Sequence, residues 1–149
     1  MVTYVRDRKA IFDQNGAVFL QIVIPLATKG AQATGINDQE EVCGFYIDSG
    51  GVTHGFLLNA GTLTTLNFPG ASFTQALGLN DQAQVVGVYM VGTATHGFIF
   101  NTKFGRFRSV DDPNGVGTTT INGINNFGQI VGFYVDSMGH TDGFIGTPK

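Results

Sequence analysis

The sequence has one cysteine, no tryptophan and no long apolar run. Because Cys43 has no second cysteine to pair with, an intrachain disulfide is excluded, and cysteine usage leaves the compartment open. No apolar stretch approaches the roughly 18 residues of a membrane-spanning helix, so we predict no membrane span. The most apolar segment, residues 17–27, aligns with a strand of the repeat described below. We therefore interpret it as a strand rather than a secretory signal.

Charge is also scarce: Asp, Glu, Lys and Arg make up 13% of the residues, and the net charge is −3. A nucleic-acid surface needs clustered Lys and Arg to replace counterions, so we predict no nucleic-acid partner. One compact basic cluster comprises Lys103, Arg106 and Arg108. We interpret it as a solvated outer strand whose charges discourage edge pairing, with anion or polysaccharide binding as the alternative.

Glycine and phenylalanine are abundant, with 22 and 13 of the 149 residues. Gly and Asn supply the positive φ angles of tight turns, and Phe supplies apolar surface for a core. A disordered chain would carry more charge and less Phe. The composition therefore predicts a turn-rich, all-β protein.

The chain contains an internal repeat of roughly 44 residues. Three segments align as copies: ATGINDQEEVCGFYIDSGGVTHGF at 33–56, ALGLNDQAQVVGVYMVGTATHGF at 76–98 and NGINNFGQIVGFYVDSMGHTDGF at 122–144. Spacings of 43 and 45 residues separate Gly35, Gly78 and Gly123, and the same spacings separate Gly44, Gly87 and Gly132.

Turn residues divide each copy into four short strands, which we call a to d. In the first copy these are predicted at 33–36, 42–47, 53–58 and 62–68, followed by a longer loop that begins with Pro-Gly. Three short links and one long link predict a four-stranded antiparallel meander followed by a step to the next unit.

The repeat begins and ends out of phase. The N-terminal residues align with strands c and d, and the last copy has no segment that aligns with strand d. We therefore predict one all-β repeat domain over 1–149, divided into a partial repeat at 9–25, repeat 1 at 31–73, repeat 2 at 74–117 and repeat 3 at 118–149.

This pattern resembles the HAF-type extracellular repeat family, and the resemblance extends over residues 9–146. It implies a secreted or surface setting of bacterial type, but the family has no agreed activity to transfer. The third copy departs from the motif, with Asp142 where the motif has His. The matching motifs are Gly-Ile-Asn-Asp at 35–38, Val-Cys-Gly-Phe-Tyr at 42–46, His-Gly-Phe at 54–56 and Pro-Gly at 69–70.

A unit with a small-residue first strand and a polar outer strand is typical of a propeller blade, whose first strand lies near a crowded axis. Three blades are fewer than the four to eight that close a propeller, so two chains with six blades would complete one. The alternative is a threefold β-trefoil or β-prism. Strand a, with residues such as Ala33 and Ala76, is small for a trefoil barrel.

We further predict a homo-oligomer, most simply a dimer, joined through its terminal strands. Residues 17–24 read AVFLQIVI, which is apolar on both faces, as expected of a strand buried on both sides. In this hypothesis the segment supplies the missing strand d next to residues 141–146, in the same or the partner chain. An ordinary edge strand is the alternative.

No catalytic, metal-binding or cofactor-binding group is predicted. His54 and His96 occupy equivalent positions, which duplication alone explains, and we expect each ring to bond its neighbouring turn. The turn at 37–41 supplies only part of the oxygen set that calcium requires. Glu40 and Glu41 are neighbours and would point to opposite faces, so they could not flank one glycosidic bond.

Six residues are predicted to bind a ligand, with a glycan as the first candidate. Aligned tyrosines could stack on sugars if they line clefts between units, although a role as core aromatics is the alternative. The polar residues lie at the a–b turns, where they could converge near an axis. The candidates are Tyr46, Tyr89, Tyr134, Asp38, Asp81 and Asn126.

Three functions follow as hypotheses. The first is an exported or surface-associated repeat module that acts in binding or assembly, where weak sites gain affinity through avidity. The second is a small hydrolase with its site at the axis of the repeat ring. The third is a fragment of a longer repeat array without independent function.

Overall fold

A computed structural model describes residues 2–3, 11–12, 15–16 and 18–149. Within these residues the chain forms strands and turns and no helix, which confirms the all-β prediction. The strands are β1 (Val2–Thr3), β2 (Ile11–Phe12), β3 (Val18–Phe19), β4 (Gly30–Ile36), β5 (Val42–Ile47), β6 (Thr53–Asn59), β7 (Thr62–Leu66), β8 (Phe73–Leu79), β9 (Gln84–Val91), β10 (Ala94–Asn101), β11 (Arg106–Val110), β12 (Thr120–Ile124), β13 (Ile130–Val135) and β14 (Thr141–Gly146).

Each repeat folds into one antiparallel sheet. The first sheet has the order β4-β5-β6-β7, with the two-residue β1 paired outside β7, and the second has the order β8-β9-β10-β11. The third sheet has three strands, β12-β13-β14. The predicted meander is therefore confirmed, with strand ends close to those expected. No closed barrel forms among the described strands, which argues against the trefoil alternative.

In each of the three repeat sheets, the pairing of the first two strands contains one β-bulge. The pairing register shifts once in each of β4, β8 and β12, and a glycine of the second strand lies beside each shift. A Cβ atom on these glycines would collide with a backbone carbonyl oxygen, so the repeated glycine serves the bulge. The distances would be 2.0 Å from Gly44 to Gln32 O, 1.9 Å from Gly87 to Gln75 O and 2.0 Å from Gly132 to Thr120 O.

The sheets stack through their first strands. β8 packs on β5 and β6 of the first sheet, and β12 packs on β9 and β10 of the second. Ala76 in β8 and Ile121 in β12 are fully buried by this packing. A Cβ atom on Gly97 would stand 2.6 Å from Ile121 Cγ1, so strand c must carry a glycine where the next sheet covers it.

The first strands also approach one another closely at equivalent glycines. A Cβ atom on Gly35 would lie 3.4 Å from Gly78 Cα, and one on Gly78 would lie 3.1 Å from Gly123 Cα. Small residues in strand a, expected from the sequence, therefore permit β4, β8 and β12 to lie side by side.

Three apolar clusters form the core, one for each contact between units. Among the described residues, one cluster lies between the first and second sheets, a second between the second and third, and a third between the first sheet and residues 22–27. Representative members are Leu57, Leu66, Tyr89, Phe98 and Phe100 in the first cluster, Val86, Ile99, Ile121 and Ile130 in the second, and Ile24, Tyr46 and Phe56 in the third.

The two terminal segments do not share a sheet within one chain. β3 pairs with β2, and β14 pairs only with β13 among the described strands. Closure of the last sheet by residues 17–24 of the same chain is therefore wrong, although Ala17 itself lies outside the described residues. Burial on both faces is also absent in the single chain, because Val18 and Phe19 are 54% and 58% exposed. Only Ile24 of this segment is buried.

Candidate functional site

The predicted polar site residues lie in the turns between the first and second strands of each sheet. In the first turn, Asn37 Oδ1 accepts hydrogen bonds from the backbone N–H groups of Gln39 (3.1 Å) and Glu41 (2.9 Å). Asn80 and Asn125 make the same two bonds in their own turns. These asparagines therefore fix the turn conformation, as asparagine side chains commonly do in tight turns.

The three turns are also bonded to one another. The Asp38 N–H donates to Asp81 Oδ1 (2.8 Å), and the Asp81 N–H donates to Asn126 Oδ1 (2.9 Å). Asn126 Nδ2 donates back to Asp81 Oδ2 (2.7 Å). We call this row the Asx ladder; it comprises Asn37, Asp38, Asn80, Asp81, Asn125 and Asn126.

A second series of bonds runs in parallel. Asn37 Nδ2 donates to the Asn80 carbonyl oxygen (3.2 Å), and Asn80 Nδ2 donates to the Asn125 carbonyl oxygen (2.9 Å). Apart from the bond from Asn126 Nδ2 back to Asp81, the donor in both series belongs to the earlier sheet of the two. The structure thus brings Asp38, Asp81 and Asn126 together, but as partners of one another.

The ladder changes the acidity of its central carboxylate. The Asn126 amide and the Asp38 backbone N–H donate to Asp81 and hold the pKa of its carboxyl below the usual value. At the ends, the Asp38 carboxyl contacts that of Asp81 but receives no N–H from the described residues, and the Asn126 N–H has no acceptor among them. The ladder therefore ends in an unused acceptor on the first sheet and an unused donor on the third.

The tyrosines do not join this row. Tyr46 and Tyr89 are only 3% and 6% exposed, so their rings lie in the core between units rather than in an open cleft. Tyr46 Oη lies 3.0 Å from Thr65 Oγ1, and Tyr89 Oη donates to Ser109 Oγ (2.8 Å). Tyr134 is partly exposed, and its ring packs beside Gly115. A sugar could therefore approach only Tyr134 in this arrangement.

Each histidine is held by a nearby carboxylate. His54 Nε2 lies 2.9 Å from Asp48 Oδ2 and its Nδ1 lies 2.8 Å from Asn67 Oδ1, while the ring stacks on Tyr46. His96 Nδ1 lies 2.8 Å from Asp111 Oδ2, and the ring stacks on Tyr89. The hydrogen bond from His54 lowers the pKa of the Asp48 carboxyl. The Nδ1 contacts with the equivalent residues Asn67 and Asp111 and the stacking on tyrosine recur in two sheets, which fits a structural role repeated by duplication.

The one cysteine and the metal-ligating residue types are not arranged for nucleophilic or metal chemistry in the described part of the chain. Cys43 is buried beneath Thr34 and Gly35, and burial raises the pKa of its thiol to about 11. Such a thiol is protonated at neutral pH and is a poor nucleophile. In the described portion of the chain, no three His, Cys, Asp or Glu residues come together as a metal site would require. None of the described residues forms a helix long and apolar enough to span a membrane.

Two neighbouring cavities lie on the outer side of the second and third sheets. One, of about 640 Å³, is lined by Arg106 and Arg108 together with Gln84, Asn101 and aromatic residues. The other, of about 410 Å³, lies between Arg108 and the end of β14. In the second sheet, Phe100 and its partner Phe107 fill the equivalent position. The described third sheet has Gly146 in place of Phe100 and has no fourth strand to supply a second side chain, which leaves the cavity.

Two exposed surfaces at the ends of the stack were not predicted from the sequence, namely one sheet face at one end and one strand at the other. On the third sheet the face that points away from the second sheet carries Val131, Phe133, Gly143 and Ile145, which we call the end face. On the first sheet, β4 is exposed along most of its length, unlike β8. The equal spacing of the repeats was the signal that could have found them. Comparison with known proteins adds no assignment: no family model and no curated protein matches the chain.

Proposed function

We propose that this chain is an assembly module whose sheets stack in a propeller-like arrangement and whose copies join head to tail. In this proposal the end face of one copy receives β4 of a second copy, and two copies give six sheets. The observation that carries the proposal is that the end face and β4 are equivalent to surfaces that already pack on each other twice within the chain. In the single chain, residues 22–27 cover Tyr46 and Phe56 beside β4, so this segment moves to the partner's third sheet when the copies join.

Residues of the end face are exposed, whereas the residues at the equivalent positions of the first and second sheets are buried. Ile145 is 75% exposed, whereas the equivalent Leu57 and Ile99 are 7% and 8% exposed. Val131 is 47% exposed, whereas the equivalent Val86 is fully buried. An apolar sheet face of this kind is costly to leave in water, and the repeat indicates the element that covers it, namely a first strand.

The matching surface is β4. Ile36 is 67% exposed, whereas the equivalent Leu79 in β8 is 9% exposed. Ala33 is exposed, whereas the equivalent Ala76 and Ile121 are fully buried. A second copy therefore offers a strand of the right sequence type, already paired in its own sheet, to cover the end face.

The terminal strands add a second contact. β14 has a free edge in the described structure, and an edge of this kind can accept another strand. Residues 18–24 align with strand d when their Pro25 is matched to Pro69 and Pro113, which places Phe19 at the position of Phe107. In our proposal the partner's segment pairs with β14 and its Phe19 fills the 410 Å³ cavity beside Gly146.

The head-to-tail contact also limits the oligomers that can form. Two equivalent contacts related by a twofold axis close a ring of six sheets, which lies in the range of known propellers. A rotation that does not close would give an open filament instead. We propose the closed dimer, since three units per chain is half of a common blade number.

Mass measured by light scattering over a concentration series tests the proposal. We expect the chain to reach twice its monomer mass of 15.8 kDa. Gly143→Leu should give a folded monomer, because the nearest atom to a Cβ there is 3.8 Å away while the end face would be blocked. Lys103→Ala, an exposed change in the second sheet, serves as the control and should still dimerise. A wild-type chain that stays monomeric at high concentration overturns the proposal.

Glycan binding is a second candidate, supported by the 640 Å³ cavity. Two guanidinium groups, two side-chain amides and the 74% exposed Phe104 line it, and no carboxylate does. This set suits an acidic sugar, whose carboxylate would pair with Arg106 and Arg108 while its ring stacks on Phe104. An exported or surface setting, implied by the family resemblance, would suit both roles. Binding of an acidic polysaccharide that survives the double change R106A/R108A would contradict this second role.

A further inference from the structure

We infer that the Asx ladder continues across the contact between copies and sets its register, with the partner's Asp38 accepting a hydrogen bond from the Asn126 N–H. The inference rests on the proposed assembly and names the polar contact that orients it. Apolar faces stack with little preference for one register, whereas hydrogen bonds of fixed direction select one.

The two existing rungs define what a third rung must be. In each, the backbone N–H of an Asx residue donates to the side-chain oxygen of the equivalent residue in the next sheet, at 2.8 Å for Asp38 and 2.9 Å for Asp81. The next donor in the series is the Asn126 N–H. The next sheet after the third is the partner's first sheet, whose equivalent acceptor is Asp38.

The ends of the ladder are chemically complementary. The Asn126 N–H lacks an acceptor and the Asp38 carboxyl receives no N–H among the residues that the structure describes. In the parallel series, Asn125 Nδ2 donates only to Gln129 within its own turn, and the equivalent donor Asn80 Nδ2 also reaches the following sheet. The partner's Asn37 carbonyl oxygen is its equivalent acceptor.

The backbone leaves room for this third rung. Gly35 and Gly78 face an equivalent glycine at close range, as described above. Gly123 has only Val131 Cγ2, at 3.1 Å, near the position of a Cβ atom. The first strand of a second copy can therefore come as close to β12 as β12 comes to β8, which is the approach that the ladder bonds require.

Asp38→Ala tests the inference directly. The Asp38 N–H still donates to Asp81 in this variant, and only the contact of the Asp38 carboxyl with that of Asp81 is lost, so the melting temperature of the isolated chain should fall less than in Asp81→Ala. The dimer should dissociate about a hundredfold more readily, because each of its two contacts loses a hydrogen bond to a charged acceptor. Asp38→Asn keeps an acceptor oxygen and should fall between this variant and the wild type. Asp142→Ala removes an exposed carboxylate from the third sheet and is the matched control.

Hydrogen exchange supplies an independent readout. The Asn126 amide should become protected when the wild type dimerises and should stay unprotected in Asp38→Ala. If Asp38→Ala dimerises like the wild type while Gly143→Leu does not, the ladder inference is wrong and the assembly proposal stands. If the wild type never dimerises, both fall. A loss of chain stability in Asp38→Ala equal to that in Asp81→Ala would assign Asp38 to folding and also overturn the inference.

Discussion

At the scale of single residues, the repeats show which positions are fixed by a specific contact. Cys43 is the clearest case, because its equivalents are Val86 and Val131. All three occupy the same strand position, and the first two are fully buried. The thiol therefore acts as a small apolar side chain.

Cys43→Val should leave the fold intact, with a change in melting temperature of no more than a few degrees. Volume is nearly conserved and the pKa of about 11 means that no thiolate is lost at neutral pH. In the wild type, a thiol reagent should modify Cys43 only under denaturing conditions. Rapid modification of the native protein would contradict the burial described here.

Asp81 and Asn126 form a rung that can be reversed. Asp81→Asn places an amide opposite the Asn126 amide, and Asn126→Asp places two carboxylates together, so each change should lower the melting temperature. In the double variant the amide at position 81 donates to the carboxylate at position 126, which is the wild-type hydrogen bond with donor and acceptor exchanged. The double variant should therefore recover most of the lost melting temperature. A double variant whose loss equals the sum of the single losses would show that the two side chains are not coupled.

The same carboxylate gives an acid dependence with a definite sign. The folded pKa of Asp81 lies below the unfolded value of 3.8, so its contribution to stability is present above that value and is lost as the pH falls through the folded pKa. Asp48 and Asp136 have lowered pKa values as well and act in the same direction. Melting curves from pH 7 to pH 2 should show a smaller acid loss in Asp81→Asn than in the wild type.

At the scale of strands, the sequence predicted where the strands lie along the chain better than it predicted which side chains contact one another. Turn residues placed the four strands of repeat 1 within a few residues of β4 to β7, because Gly, Asn and Asp interrupt a short apolar alternation. The same alternation could not decide which face of strand b enters the core, and Tyr46 proved buried. The ladder bonds join residues 43 to 45 positions apart and depend on how sheets stack, so local turn chemistry could not reveal them.

The bulge glycine gives a sharp test at this scale. Gly87→Ala would place a Cβ atom 1.9 Å from the Gln75 carbonyl oxygen, which the strand pair can relieve only by breaking the bulge. We expect a loss of about 1–3 kcal/mol in unfolding free energy, as is typical of overpacked sites, measured by urea denaturation. Gly143→Ala is the control, because its Cβ would meet nothing closer than 3.8 Å. Equal losses in the two variants would contradict the packing argument.

At the scale of the whole molecule, the prediction of strand exchange within one chain failed for a reason of arrangement. Residues 22–27 pack on the first sheet, whereas β14 belongs to the third sheet and pairs only with β13 among the described strands. The alignment of the repeats showed that the last copy has no segment equivalent to strand d and that the N-terminal partial repeat contains one. It could not show that the residues after β3 pack on the first sheet instead of pairing with β14.

The melting temperature should therefore depend on concentration. Association stabilises the folded chain by mass action, so dilution below the dissociation constant should lower the melting temperature of the wild type. Gly143→Leu should melt at one temperature over the same range. A wild-type melting temperature that is independent of concentration down to nanomolar protein would count against association.

The middle sheet differs from its neighbours because other sheets cover both of its faces. The principal strand contacts join the first sheet to the second and the second to the third, so each sheet depends mainly on the one beside it. In a row of this kind the outer sheets unfold locally more often than the middle sheet. The amides of β9, where Val85 and Val86 are fully buried, would then be the slowest to exchange, and a whole repeat could be gained or lost at an end without rebuilding the rest.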